Sequence, residues 1–427
     1  MSIPVIDLFA GPGGLSEGFS QNGFNVRLSI ECNRYAHQTL LFRSFYRKLI
    51  KSNDNLSVLH KYFKNQFSEK ELYSTHEAIY NEADNEVWCA ELGKVPDIVV
   101  DKRIRKALGK EKNGVLEGGP PCQAYSLAGR SRMKGTHPEF EDDHRHFLYK
   151  QYLRIVGKHA PAIFVMENVK GILSASVKKV GIFQQILKDL ENPNKSLDPS
   201  IRANRKLRYT LHPIVMPEVE GQLELECYPP SDFIVNSEKF GIPQKRHRVF
   251  IVGIREGSGI TMSHLTPSKE EQLTVWKAIG DLPGLRSGLT RKSLGDWNES
   301  IQQITNSEWL NKLRETDFEL FRELTKQLKS LRKIQKNGES IVSRSGNKHP
   351  GALEKWYRGS DLPFLFNHVC RDHMDRDLQR YFYAACHSLV HNRSPKIRDF
   401  PKELWPKHKN VQNSKGKVIF DDRFRVQ

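Results

Sequence analysis

Cys122 stands in the string Gly118-Gly119-Pro120-Pro121-Cys122-Gln123, where two prolines fix φ on the approach and two glycines allow close packing beneath. Such stiffness around one thiol suits a sulfur that must meet an electrophilic carbon at a set angle. A buried structural cysteine beside a proline turn would use the same residues. Further along, an apolar run ends in Glu167-Asn168-Val169. A carboxyl half-shielded at a strand end has a raised pKa and can donate a proton to a ring nitrogen; a helix N-cap or a surface acid is the alternative. Gln244-Lys245-Arg246-His247-Arg248 then runs into the strand VFIVG, and alternation puts 244, 246 and 248 on one face. Two arginines facing inward are costly unless they meet phosphate, carboxylate or a base oxygen, and simple salt bridges would also hold them.

A second group has the chemistry of a cofactor site. Gly11, Gly13 and Gly14 follow a strand directly, and glycine there permits a tight turn and close approach of a ligand to the backbone. Glu31 closes the next strand, 20 residues after Gly11, where a carboxylate can take both hydroxyls of a ribose. Pro12 removes one amide donor, which argues against a pyrophosphate nest and for a nucleoside cofactor lacking phosphates. A generic strand–turn–helix would look the same.

These side chains need a frame that delivers them to one edge. PVIDLFA (4–10) has strand character, GPGG (11–14) is a turn, LSEGFSQNGF (15–24) is a short helix and NVRLSIE (25–31) a second strand. Parallel strands need helical crossovers, so this opening begins an α/β unit. The pattern continues with a helix over 98–109, a strand at 114–117, a long loop over 127–146, a helix over 147–157, a strand over 161–169 and a helix over 177–190. Residues 231–254 read as strand, turn and buried strand. Residues 34–95 are mixed and partly helical, and 192–230 are irregular around one or two strands. Parallel neighbouring strands would bring Cys122 and Glu167 to the same edge of the sheet. The pattern changes after about residue 257. Residues 302–336 read as amphipathic helix, and 357–427 as irregular, aromatic and basic.

Composition narrows the classes. The 427 residues carry 67 Lys plus Arg against 50 Asp plus Glu, a formal charge of +17, with 38% apolar residues. That length can bury one large core and a second, and the apolar content excludes a disordered chain. No stretch approaches 18 apolar residues, so a membrane span is not expected, and residues 1–10 lack the basic start of a signal peptide. Six cysteines at 32, 89, 122, 227, 370 and 386 include no CxxC pair. Neither a disulfide framework nor a metal site is expected, and a reducing compartment is. The positive excess suits a polyanionic partner.

The strings DLFAGPGG (7–14), GGPPCQAYS (118–126), ENVKG (167–171) and IPQKRHRVFIVG (242–253) together resemble the DNA (cytosine-5)-methyltransferase family, in its unpermuted order and over roughly residues 3–257. IGDLP (279–283) and NHVCRDHMDRDLQRY (367–381) resemble the stretch that precedes and opens target recognition in bacterial members. The resemblance implies a Rossmann-like class I S-adenosylmethionine-dependent methyltransferase sheet with a second, irregular target-recognition domain. Its catalytic domain would span 1–260 with insertions at about 43–95 and 192–230, followed by a connector over 261–300 and a recognition region over 301–427. Phe9, Ala10, Gly11, Gly13, Gly14, Glu31 and Pro121 would line the S-adenosylmethionine pocket, with Glu31 on the ribose. Asp97 and Glu91 are both candidates for the acid at the adenine amino group. Cys122 would attack cytosine C6, Glu167 contact N3 and the exocyclic amine, Asn168 support the loop, and Arg248 hold O2 with Arg246 organising the site. Double-stranded DNA would be the partner, with the cytosine flipped from the stack. Arg130, Arg132, Lys134 and Arg145 in the loop would follow the phosphates, with Gln123, Ser126 and Gln244 in the same DNA-contacting group. A DNA-associated enzyme of the bacterial cytoplasm, in restriction–modification or phage defence, is the implied setting. Transfer RNA methylation by the same machinery and a non-catalytic DNA-binding subunit are the alternatives.

Two further strings of the complete family pattern, one of RxLTxREAARLQxFP character and a GNAVP-like one, are not found. A second polypeptide supplying them, a shortened chain, or a degenerate member with another partner would each account for this. The first is preferred. In either of the first two cases the chain alone is expected to bind cofactor weakly and to methylate poorly.

Overall fold

Short apolar runs with buried alternation build a central sheet. In the computed structural model PVIDL forms β1 (Pro4–Leu8), with all five side chains buried. The glycine turn leads to α1 (Gly14–Gln21) and then β2 (Asn25–Glu31). The structure describes residues 2–52, 57–111, 113–121, 148–177, 180–197, 206–215, 228–268, 274–280, 282–290, 296–331, 338–343, 364–406 and 411. It divides into two units, Met1–Leu273 and Thr274–Gln427.

The segment left unassigned by its sequence pattern folds into α2 (Arg34–Lys51), α3 (Ser57–Phe63), α4 (Glu69–Thr75), α5 (Glu77–Glu86) and the short β3 (Val87–Cys89). Each start is chemically marked. Asn33 caps α2 by accepting from the amides of Tyr35 and Ala36, and Ser68 and Glu71 form a reciprocal capping box on α4. Arg47 and Lys48 on α2 both pair with the buried Glu86 on α5, tying the two helices together.

Next come α6 (Asp97–Leu108), β4 (Val115–Gly118), α7 (Leu148–His159) and β5 (Ile163–Val169). The helix expected from 177 begins later, as α8 (Ile182–Glu191), because Ser176–Val177 and Val180–Gly181 pair as a small hairpin before it. Then follow β6 (Tyr209–Pro213), β7 (Ile234–Asn236) and β8 (His247–Arg255). The sheet runs β3-β2-β1-β4-β5-β8-β6, with β7 pairing on β8. Its first five strands are mutually parallel, and β8 is antiparallel to both β5 and β6. Ile6, Leu8, Leu28, Leu116, Phe164 and Ile251 point to one face and form the main core under α6, α7 and α8. Tyr152 on α7 is fully buried there and donates its hydroxyl to Val165 O at 3.0 Å, with Leu116 O at 3.4 Å. Val5, Val26 and Val115 fill the opposite face with Phe19 and Phe24 from the region of α1.

The second unit has its own core. It includes α9 (Trp297–Gln302), α10 (Glu308–Thr316), α11 (Phe318–Lys329), the hairpin β9 (Gly338–Ser343) and β10 (Phe364–Val369), and α12 (Asp375–His391). Ile301, Trp309, Leu324, Leu378 and Tyr383 pack together within it. A 17-residue helix at α12 corrects the expectation of irregular structure from 357 onward. Its buried face includes Arg380 and His387, which hydropathy does not flag; Arg380 meets its donors' needs at Leu404 O and Trp405 O.

Candidate active site

Strand order reverses between β1 and β4, so a crevice opens at their C-terminal ends, where ligands bind in sheets of this kind. Beyond β1 the backbone turns through Phe9 (φ 58°), Gly11 (φ 56°) and Gly13 (φ 87°). Positive φ at Phe9 is uncommon for a side chain of that size, with a cost on the order of 1–3 kcal/mol. The turn is fixed by Ala10 N donating to Ile30 O and Gly13 N donating to Ala10 O, both at 3.0 Å. Gly13 also has no room for a side chain, since a Cβ would lie 2.6 Å from Leu40 Cδ1.

Glu31 is the hub of this half. Its Oε2 accepts from Gly11 N at 2.7 Å and its Oε1 from Asn33 N at 2.6 Å, so one carboxylate clamps the glycine turn to the start of α2. Each oxygen keeps a second lone pair, enough for two ribose hydroxyls. A Cβ on Gly11 or Gly14 would meet nothing within 4 Å, so the space above the turn is open. An open turn and a bidentate carboxylate, with no cluster of cations beside them among the described residues, fit a nucleoside bearing no phosphate. Of the two acids considered for the adenine, Asp97 is paired with Arg154 Nε at 3.2 Å and Glu91 with Lys94 at 3.0 Å. The Glu91 charge also reaches Cys32, the neighbour of Glu31.

The other half lies at the ends of β4 and β5. Of the two glycines after Glu117, Gly118 is sterically required and Gly119 is tight. A Cβ on Gly118 would sit 2.5 Å from Leu8 O, forcing β1 and β4 apart, and one on Gly119 would sit 3.0 Å from Glu167 Oε2. Asn168, buried, donates to Pro120 O at 3.3 Å and accepts from Val169 N at 2.9 Å. The approach to residue 122 is thus held by a side chain from the next strand. Pro121 ends the described stretch. Cys122 itself and Gln123, Ser126, Arg130, Arg132, Lys134 and Arg145 lie outside the described residues.

Glu167 is paired with Arg248, whose Nε lies 2.8 Å from Oε1, although that N–H is not aimed at the oxygen. Arg248 Nη1 donates to His247 O at 2.8 Å. Burial raises the Glu167 pKa above the ordinary carboxylate range; the charges of Arg248 and then Arg246 oppose it without cancelling it. Alternation does not extend back to residue 244 as expected. β8 begins at His247, and Gln244 and Arg246 lie in a turn where the Ser237 hydroxyl donates to Gln244 O and accepts from Arg246 N. The turn replaces the pleat, so the three residues do not share a strand face.

Three polar residues beneath the turn escaped the sequence reading. Asp7, Ser16 and Glu117 are buried together, and Ser16 donates to Asp7 Oδ2. A lone acid in the apolar run VLEG gives no periodic signal. Among the described residues no group of three or more His, Cys, Asp or Glu is placed to hold a metal, and no helix is long and apolar enough to cross a membrane.

Comparison with known proteins bears on what this crevice serves. The family model for C-5 cytosine-specific DNA methylases matches residues 3–55, 78–201 and 217–409. Type II methyltransferase M.Bpa9945I of Bacillus paralicheniformis is 30% identical over 302 residues, 66% of this chain and 61% of that protein. M.DdeI of Desulfomicrobium norvegicum is 28% identical over 66% of this chain and 49% of its own length. M1.HphI of Haemophilus parahaemolyticus is 29% identical over 67% and 55%. The chain therefore spans about half to three-fifths of the length of these relatives. With the model covering most of its residues, the chain belongs to the C-5 cytosine-specific DNA methylase family, whose cofactor is S-adenosylmethionine.

Proposed function

We propose that this chain transfers a methyl group to C5 of a cytosine flipped out of duplex DNA, through a covalent bond between Cys122 and C6, in a restriction–modification or phage-defence system. Support comes above all from Glu167: a half-buried carboxyl at the end of β5 whose pKa burial raises above the ordinary carboxylate range, close to Gly119 on the backbone that leads to Cys122 and faced by Arg248. C5 of cytosine is a poor carbon nucleophile in the intact ring. Addition of the Cys122 thiolate to C6, with the Glu167 proton moving to N3, converts C5 to an enamine carbon. S-Adenosylmethionine supplies the electrophilic methyl that C5 takes. Loss of the C5 proton to a base and expulsion of the thiolate restore the ring, and N3 returns its proton to Glu167. Arg248 has two roles, holding the base O2 and limiting how far burial raises Glu167.

The test is a duplex containing 5-fluorocytosine, in which fluorine stands in place of the C5 proton and cannot leave as a cation, so the thiolate is not expelled. A denaturant-stable adduct is expected in the presence of cofactor, and none with Cys122→Ala. Its absence with the wild-type chain would overturn the thiol mechanism and favour a non-catalytic DNA-binding subunit. An adduct with fluorinated transfer RNA and not with DNA would move the substrate to RNA.

A further inference from the structure

Asp7 on β1 and Glu117 on β4 are register partners on adjacent parallel strands, so their side chains share one face of the sheet. They are 1% and 0% exposed. Among the described residues Asp7 Oδ1 and both carboxyl oxygens of Glu117 have no hydrogen-bond partner of good geometry and neither acid has an ion pair, the Ser16 hydroxyl lying close enough to Glu117 only to oppose the rise in its pKa. Among the described residues the groups that face them are few. From α1, Ser16 donates to Asp7. From β2 come the Ser29 hydroxyl, itself without a partner, and the Glu31 carboxylate that clamps the turn. From α2 there is Arg47, already engaged by Glu17 and Glu86, and from α7 the un-ionised Tyr152. Two carboxyls side by side, with no cation among the described residues paired to either and only the distant Arg47 charge on Asp7, do not both ionise at neutral pH, and the pair holds at most one negative charge.

That charge sits under the cofactor turn. Asp7 precedes Gly11 by four residues, so chain length alone keeps the two within ~14 Å, and Ser16 ties Asp7 to the helix that leaves the turn. The only difference in formal charge between S-adenosylmethionine and its demethylated product is the sulfonium. We propose that the Asp7–Glu117 pair is a buried electrostatic selector: its single negative charge favours the sulfonium cofactor over neutral S-adenosylhomocysteine, and so favours exchange of product for cofactor after each transfer. A unit charge acting over that distance through a medium of effective dielectric ~20 changes the ratio of the two affinities about threefold to tenfold.

Occupation of the glycine turn by the family's cofactor is presupposed, so the measurement separates the two ideas. Equilibrium dialysis of the full chain, at ligand concentrations up to the millimolar range, gives the two dissociation constants at pH 6 and pH 8. Burial raises Asp7 to about 7, so the pair gains its charge between those values. In the wild-type chain the preference for S-adenosylmethionine is expected to rise about threefold to tenfold from pH 6 to pH 8. Glu117→Gln keeps the rise, because Asp7 still ionises. The double variant Asp7→Asn, Glu117→Gln has no charge to gain and is expected to show a flat, low preference. Titration of the ligands' own amino groups is common to all three chains and cancels in the comparison. A wild-type preference that does not change between pH 6 and pH 8, or a double variant that rises like the wild type, overturns the selector. Failure of both ligands to bind overturns the assignment of the turn and the selector with it.

Discussion

Replacing Glu167 by glutamine is expected to slow methyl transfer to DNA by about a hundredfold to ten-thousandfold, the range that loss of a positioned proton donor usually costs. The amide fills the same volume between Gly119 and Arg248. It has no acidic proton for N3, so addition of the thiol to C6 loses the step that drains charge from the ring. Affinity for DNA should change little, since the residues proposed to follow the phosphates lie in the loop 127–146. An unaltered rate would remove Glu167 from the proposed mechanism.

The partner of that acid gives a sharper form of the same prediction. Burial raises the Glu167 pKa and the Arg248 charge restrains it. Arg248→Ala therefore leaves the carboxyl with burial and less opposition, and its pKa must move further up. A general acid works while protonated, so the alkaline fall in rate should shift to higher pH in this variant while the base loses its O2 contact and binding weakens. A lysine at 248 keeps the charge but not the planar donor set, and should restore the pH profile better than the affinity. Single-turnover rates against pH, for wild type, Arg248→Ala and Arg248→Lys, distinguish this from simple misfolding, which would lower the rate without moving the profile.

Which parts of this site a sequence discloses follows from how local the physics is. The glycines at 11, 13 and 118 mark backbone that has no room or no permitted φ for a side chain, and such positions are visible as residue types. The strand pattern around them is equally local, and β2 ends at Glu31 as its sequence implies. Arg246 shows the limit. Alternation predicts a strand through 244–248, but one hydroxyl, Ser237, captures the backbone from nine residues away and makes a turn. The helices of 34–95 were obscure because most are short and are defined by caps such as Ser68 and by aromatic contacts such as Phe45 with Tyr73. α12 was missed for the opposite reason: residues that look polar, Arg380 and His387, lie on its buried face. No local pattern could have paired Asp7 with Glu117, because the register of two strands more than 100 residues apart is a tertiary fact.

Glu117 also carries the largest stability prediction. Replacing it by leucine is expected to stabilise the first unit by about 1–3 kcal/mol at pH 7, the usual cost of a buried polar group left without a partner. The gain should grow with pH. Burial and the Asp7 charge push Glu117 up to about 10 in the folded chain, the Ser16 hydroxyl opposing them, whereas in the unfolded chain it ionises in the ordinary carboxylate range. Between those values the folded state binds the proton and the unfolded state does not, so stability falls as pH rises. The same holds for Asp7, but only up to about 7. Above pH 7 the slope therefore belongs mainly to Glu117, at up to ~1.4 kcal/mol per pH unit. Urea unfolding followed between pH 7 and pH 9 should show wild-type stability declining and Glu117→Leu nearly flat over that window. Parallel declines in the two chains would mean that Glu117 is ionised and matched by a cation in the folded protein, and the buried acid pair would then have to be abandoned.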